Sequence, residues 1–405
     1  MFHPLFVLGV SAVGLAKEMT GFLKSNELGT CQIHYTLNRV DSGSSNAPLI
    51  VWLQGGPGLS SLTARYFEIG PTLLKNGTEI ANPNSWTTDF NILFLDAPEG
   101  TGLSSCKDKR ELPALSEDVA HRIRIALSDF YDAYPDLVDA PLFIAGEDYA
   151  GHLIPPLASL LLTVPLTSPL RGVAIGNGHT HPVTQVLTRS ESAKYFGLTD
   201  NQECYAQAFD HASKASFAAE SGEFERSFEE RTKLEETVKA CSMGANLKDI
   251  RTTVDYKESI YDPLDRYLNN LVFKLGSAQP FASYNPKVIE TMRADVMRSM
   301  IHDVERILDS DIPVLLYQGL FDWIDGVYSN EAWMMEMKWK GAKRFYETPR
   351  EKWSLRKGGE ELAGYVRSFG ALHHVVIRNA GHLVAMNQPE AAHEMIQDFV
   401  LGVLS

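Results

Sequence analysis

Asp148, Asp322 and His382 are the residues of this 405-residue chain whose types and order point to chemistry. A histidine takes and returns a proton near neutral pH, and a carboxylate beside it fixes its tautomer and stabilises the imidazolium. In that scheme His382 is the base and Asp322 its orienting partner. Asp148 lies in Leu142-Phe143-Ile144-Ala145-Gly146-Glu147-Asp148-Tyr149-Ala150-Gly151-His152. A short apolar run enters a small-residue turn, with Gly146 and Gly151 near its flanks, and a helix-compatible segment follows. This is the form of a sharp strand-to-helix turn that lifts one side chain above a sheet. Such a tip usually carries a hydroxyl, and an acid there changes which reactions are reasonable. His382 alone reads as an ordinary loop histidine; the ordered trio favours the functional reading.

A second element belongs beside the first. Gln54-Gly55-Gly56-Pro57-Gly58 follows the apolar run Pro48–Leu53. It lacks the Gly-Lys-Ser/Thr ending of a phosphate loop, so it reads either as a tight glycine turn or as backbone N–H groups opened toward an oxyanion. Gly56 and Tyr149, the residue after the turn, are the natural pair of donors.

The elements that must position these residues alternate. Strand-like runs occur at Pro48–Leu53, Asn91–Asp96, Leu142–Ala145, Gly172–Ile175, Ile312–Tyr317 and His374–Ile377, with helical patterns at Ser116–Tyr134 and His152–Leu162. Continuously apolar strands alternating with helices predict an α/β fold, a mostly parallel central sheet flanked by helices, with function at the strands' carboxyl ends. The order nucleophile, acid, histidine is that of α/β-hydrolases. Residues 181–310 are rich in Glu, Lys, Ala and Ser and read as a helical cap inserted into a core made of 17–180 and 311–405.

Composition narrows the classes. With 44% hydrophobic and 22% charged residues the chain builds a substantial core. A net charge of −14 argues against a nucleic-acid partner, because phosphate binding needs clustered Lys and Arg. Residues 1–16 resemble a secretory signal with cleavage after Ala16, although no Lys or Arg marks the start; no other segment is apolar enough to span a membrane. The four cysteines, Cys31, Cys106, Cys204 and Cys241, match no zinc or redox spacing, and no metal or cofactor is expected. An oxidising compartment would permit Cys204–Cys241 as a staple, without sequence establishing the pairing. The sequon Asn76-Gly77-Thr78 is compatible with a secreted glycoprotein.

At this point a family resemblance emerges. Ala47–Gly58, Asn82-Pro83-Asn84-Ser85-Trp86, Asn91–Ser104 with Gly100-Thr101-Gly102, Ala174–Gly178, Gly319–Trp333, Ala363–Val366 and Gly381–Ala391 resemble, in order, the blocks of the serine carboxypeptidase family. The resemblance implies an α/β-hydrolase fold and, usually, removal of a C-terminal amino acid through an acyl-enzyme; relatives also transfer acyl groups. It carries the family serine onto Asp148, its aspartate onto Asp322 and its histidine onto His382. The oxyanion donors fall on Gly56 and Tyr149, and the substrate-binding group on Gln54, Gly55, Glu68 and Glu147. It also implies a secreted or vacuolar location.

The chain departs from that pattern. The family asparagine is Gln54, a cysteine after the glycine turn is Leu59, a valine before Gly-Thr-Gly is Glu99, and a cysteine near Asp322 is Asp325. A carboxylate is a poor nucleophile toward an amide, but it can form an alkyl ester at a saturated carbon that a histidine-activated water hydrolyses. It can also exchange protons with a bound molecule. The leaving-group donor that the covalent route needs is not identifiable; Tyr256, Tyr261 and Tyr267 are the cap's candidates. The reading from sequence is therefore a serine-carboxypeptidase-like enzyme with an Asp-His-Asp site, acting on a small organic molecule rather than peptides. Its alternatives are a catalytically inactive binding protein, with Asp148 and His382 locked as an ion pair, and a serine carboxypeptidase altered at position 148.

Overall fold

The computed structural model describes residues 6–7, 18–40, 46–277, 279–356 and 361–402. All of the expected signal segment except Phe6 and Val7 lies outside the described residues.

Six strands form the parallel centre. In chain order the sheet strands are β1 Phe6–Val7, β2 Glu18–Lys24, β3 Cys31–Asn38 and β4 Leu49–Leu53. After a separate hairpin, β5 Thr72–Lys75 with β6 Thr78–Ala81, come β7 Asn91–Leu95, β8 Ser105–Cys106, β9 Leu142–Glu147 and β10 Leu170–Gly176. The last are β11 Val314–Gly319, β12 Glu351–Ser354, β13 Leu362–Phe369 and β14 Leu372–Ile377. The order across the sheet is β1-β2-β3-β7-β4-β9-β10-β11-β14-β13-β12, with β8 beside β3. Pairs from β7 through β14 are parallel, and both flanks are antiparallel. The chain thus has an α/β-hydrolase fold.

Strand periodicity sorts the core into two layers. Leu49, Val51, Leu53, Leu93, Leu95, Ile144, Val173, Ile175, Val314 and Leu316 face one layer, with the helices Ser116–Ala133, Ala150–Thr163 and Ile301–Asp309. Their neighbours Ile50, Trp52, Ile92, Phe94, Ala145, Ala174, Leu315 and Tyr317 face the other, under Met395, Ile396 and Phe399 of the helix Pro389–Val400. Both faces are covered, so continuous apolar runs are required rather than alternation; each buried Leu or Ile contributes about 2 kcal/mol.

All six expected strands are present, displaced by one or two residues at their ends. β2, β3, β12 and β13 were not expected from the sequence. They lie toward the flanks and mix polar with apolar residues; β12 is mostly exposed and β13 partly so, whereas β3 is almost wholly buried but alternates polar with apolar side chains. Between the adjacent strands β10 and β11 the chain makes a long helical excursion through Pro182–Tyr195, Gln202–Glu220, Phe224–Cys241, Asp262–Asn269 and Pro286–Met292. Its final helix, Ile301–Asp309, packs on Ala150–Thr163, so the helix returning the chain to β11 belongs to the core layer. Disulfides join Cys31 to Cys106, beside the β3–β8 pairing, and Cys204 to Cys241, across two excursion helices.

Candidate active site

Asp148 sits at the end of β9 with φ +60°, a left-handed conformation that L residues rarely adopt. Backbone bonds hold it there: its N–H donates to Gly176 O (3.1 Å), and its carbonyl accepts from Gly151 N–H (3.0 Å) and His179 N–H (2.9 Å). The turn needs glycine at two close approaches. A Cβ on Gly146 would stand 2.1 Å from Leu53 O, and one on Gly55 would stand 2.2 Å from the Asp148 Cβ. β4 and β9 are neighbours, so the glycine turn and the elbow meet at one edge.

The structure brings Asp148, Asp322 and His382 together although 234 residues separate the first from the last. His382, fully buried after β14, has Nδ1 2.7 Å from Asp322 Oδ2 and Nε2 3.0 Å from Asp148 Oδ2. Asn177, just past β10, donates to Asp322 Oδ2 at 2.7 Å, and Ile324 N–H donates to Asp322 Oδ1 at 2.8 Å. Asp322 is therefore fixed on both oxygens.

A fourth charged group was missed by the sequence reading. Lys248, in the loop after Phe224–Cys241, places Nζ 2.5 Å from Asp148 Oδ2. Burial alone would raise the Asp148 pKa, but the Lys248 charge and the His382 hydrogen bond hold it well below the usual carboxylate range. Burial would lower His382, but Asp322 foremost, aided by Asp148, lifts it to about 10. Lys248 in turn is held above the ordinary lysine value by Asp148 against its own desolvation. At neutral pH the site is thus two cations interleaved with two carboxylates. No motif or spacing in the sequence marks Lys248.

The Lys248 loop is bound to the loops it covers. Lys248 O accepts from His382 N–H (2.7 Å), Leu247 O from Trp323 N–H (3.1 Å), and Ile250 N–H donates to Phe321 O (3.1 Å). Above it lies a pocket of about 560 Å³ lined by Gly56, Leu59, Lys248, Tyr261, Tyr284 and Ile324, among others. Tyr256 also lines this pocket, whereas Tyr267 stands apart, bonded to Glu79 beside the β5–β6 hairpin. Among the described residues, the amide N–H groups of Gly56 and Tyr149 have no hydrogen-bond partner.

The residues expected to bind substrate form a buried chain. Trp52 Nε1 donates to Gln54 Oε1 (2.7 Å), and Gln54 Nε2 donates to Glu147 Oε1 (2.6 Å). Glu68 meets Glu147 carboxyl to carboxyl, a contact that needs a shared proton. Burial raises Glu68 to about 7, and burial plus the Glu68 charge raises Glu147 well above its ordinary value. The departures from the family pattern have partners of their own. Asp325 accepts from Arg189 Nη2 (3.0 Å) and Gln185 Nε2 (2.9 Å), and buried Glu99 pairs with Ser25 and, at 3.4 Å, with Arg122.

The fold and this site define an α/β-hydrolase-type protein with an ion-paired carboxylate at the elbow. The serine carboxypeptidase family model matches residues 12–402, and the chain belongs to that family. It is 33% identical over 363 residues to serine carboxypeptidase-like 50 of Arabidopsis thaliana, covering 88% of this chain and 81% of that one. It is 30% identical over 393 residues to a probable serine carboxypeptidase CPVL of Dictyostelium discoideum, covering 94% and 78%. A similar solved structure is a prohormone-processing carboxypeptidase of Saccharomyces cerevisiae, with TM-score 0.84, 21% identity, and 98% and 94% coverage.

Proposed function

We propose that this chain is a non-peptidase member of the serine carboxypeptidase family that binds a small organic molecule in the pocket above Lys248. Asp148 serves there as a charge anchor. One observation carries this reading: Lys248 Nζ and His382 Nε2 both engage the same oxygen of Asp148. A carboxylate held by two cations, with a strongly depressed pKa, has its electron density committed, which argues against covalent attack on carbon. An amide substrate finds no hydroxyl at the elbow, and His382, protonated at neutral pH, is unsuited to act as a base. The pocket volume falls in the range of small-molecule sites.

A second reading is favoured by the protons stored in the site. Lys248 and His382 both carry one, and Lys248 lines the pocket. Proton transfer to a strongly basic centre developing on a bound molecule is therefore the catalytic form of the same arrangement, the raised pKa of both donors withholding the proton from weaker bases. The secretory pathway suits both readings, because two disulfides form most readily in an oxidising compartment. Among the described residues no helix is long and apolar enough to cross a membrane.

The test is release of C-terminal amino acids from N-blocked dipeptides between mildly acidic and neutral pH. The expected result is none above background. Turnover that disappears in Asp148→Asn or His382→Ala would overturn the non-peptidase reading.

A further inference from the structure

We infer that the pocket takes a small monocarboxylate with an apolar body, its carboxylate shared between Lys248 and the amide N–H of Gly56, which line the pocket together. This deepens the binding reading above and rests on it. Three observations converge on the inference. First, the amide N–H of Gly56, half-buried on the pocket wall, has no partner among the described residues. It fits an oxygen acceptor, and no acceptor in the described chain supplies it.

Second, Lys248 is incompletely used. Its ammonium carries three donors, and the one side-chain hydrogen bond it makes is to Asp148 Oδ2. Its side chain remains 30% exposed and lines the pocket together with Gly56. A carboxylate has two oxygens, so one can face the ammonium while the other faces the Gly56 N–H. Asp148 does not repel such a guest strongly, because Lys248 and His382 balance the charges of Asp148 and Asp322.

Third, the remaining walls choose the body and limit the charge. Leu59, Tyr261, Tyr284 and Ile324 offer aliphatic and aromatic surface. The lining also carries the acids Glu235, Glu236 and Asp255, with Lys239 beside them. Glu235 is paired with Arg189 at 2.9 Å, and Asp255 lies 3.5 Å from Lys239. Glu236 is exposed. Those acids disfavour polyanions such as phosphates and nucleotides while leaving a single carboxylate acceptable.

The test uses 3-phenylpropionate, its primary amide and inorganic phosphate, titrated calorimetrically into the full-length protein. The acid should bind, the amide about ten-fold or more weakly, and phosphate not measurably. Lys248→Met should weaken the acid about ten-fold or more, whereas Asp148→Asn, which releases Lys248, should tighten it. Circular dichroism on both variants ensures that a loss of binding is not a loss of folding. Equal affinity for acid and amide, unchanged binding in a folded Lys248→Met, or no binding of the acid up to millimolar concentration would each overturn the inference. The dipeptide assay on the same preparation separates the two levels. Silence there with no acid binding removes the carboxylate site alone, whereas peptide turnover removes the non-peptidase reading and this inference with it.

Discussion

Lys248 Nζ and His382 Nε2 meet on one oxygen of Asp148, at 2.5 and 3.0 Å. The lysine comes from the helical excursion between β10 and β11 and the histidine from the loop after β14. Asp148 therefore ties the excursion to the carboxyl edge of the sheet.

That tie is measurable by a double-mutant cycle. Lys248→Met and Asp148→Asn should each destabilise the protein by about 2 kcal/mol, the partial exposure of Lys248 keeping the cost below that of a fully buried pair. The double variant should lose less than the sum, with a coupling of about 1 kcal/mol or more by urea denaturation. Strict additivity would show that the two charges do not interact.

Restoring a hydroxyl should not by itself restore a peptidase. In Asp148→Ser the Lys248 ammonium loses its partner and stands beside the imidazolium that must form during acyl transfer. Lys248 and His382 contact the same Asp148 oxygen, and two like charges about 4 Å apart repel by about 4 kcal/mol at an effective dielectric of about 20. Asp148→Ser with Lys248→Leu should therefore label with a fluorophosphonate about ten-fold or more faster than Asp148→Ser alone. Equal rates would remove Lys248 from the explanation.

Stability should decline from mildly acidic to alkaline pH. Glu68 is raised to about 7 in the folded chain, against about 4.3 when unfolded. Its contribution is complete below the unfolded value and is lost as pH rises toward 7. His382, raised to about 10 from about 6.5, adds a loss that develops between those values. Asp148 acts oppositely, since its depressed pKa gives stability that is present above about 3.9 and lost on further acidification. The melting temperature should thus peak in mild acid. Glu68→Gln should flatten the decline between about pH 5 and 7; an unchanged slope would show that the Glu68–Glu147 proton is not its source.

The disulfides should contribute unequally to the two parts of the molecule. Cys31 and Cys106 are 75 residues apart and Cys204 and Cys241 are 37 apart. Chain entropy gives about 4.5 and about 4 kcal/mol respectively, at most. Replacing Cys204 and Cys241 by Ser should raise amide exchange mainly in Gln202–Glu220 and Phe224–Cys241, whereas the Cys31/Cys106 pair should loosen β3 and β8.

The sequence carried the centre of the fold well, because buried parallel strands are written as apolar runs and each is followed by the turn chemistry its carboxyl end requires. Leu142–Glu147 followed by Asp148 is the clearest case. β12 at the edge and β13 beside it left little trace, since strands at that flank are only partly buried and mix polar with apolar residues. Within the site, Asp148, Asp322 and His382 were legible by their order and by the strands before them. Lys248 was not: its role arises from a contact across 100 residues in a loop without a motif. Likewise, the partners of Asp325 and Glu99 show that residues read as departures from a family pattern can be parts of new charge networks, which single positions cannot reveal.

The Lys248 loop has a consequence for how this molecule opens. Its backbone is hydrogen-bonded to Phe321, Trp323 and His382, that is, to both loops that carry the acid and the histidine. Lifting the excursion away would therefore unlatch those loops in the same event. In native-state exchange the amides of His382 and Trp323 should report the same opening free energy as Ile250, making roof and floor a single cooperative unit.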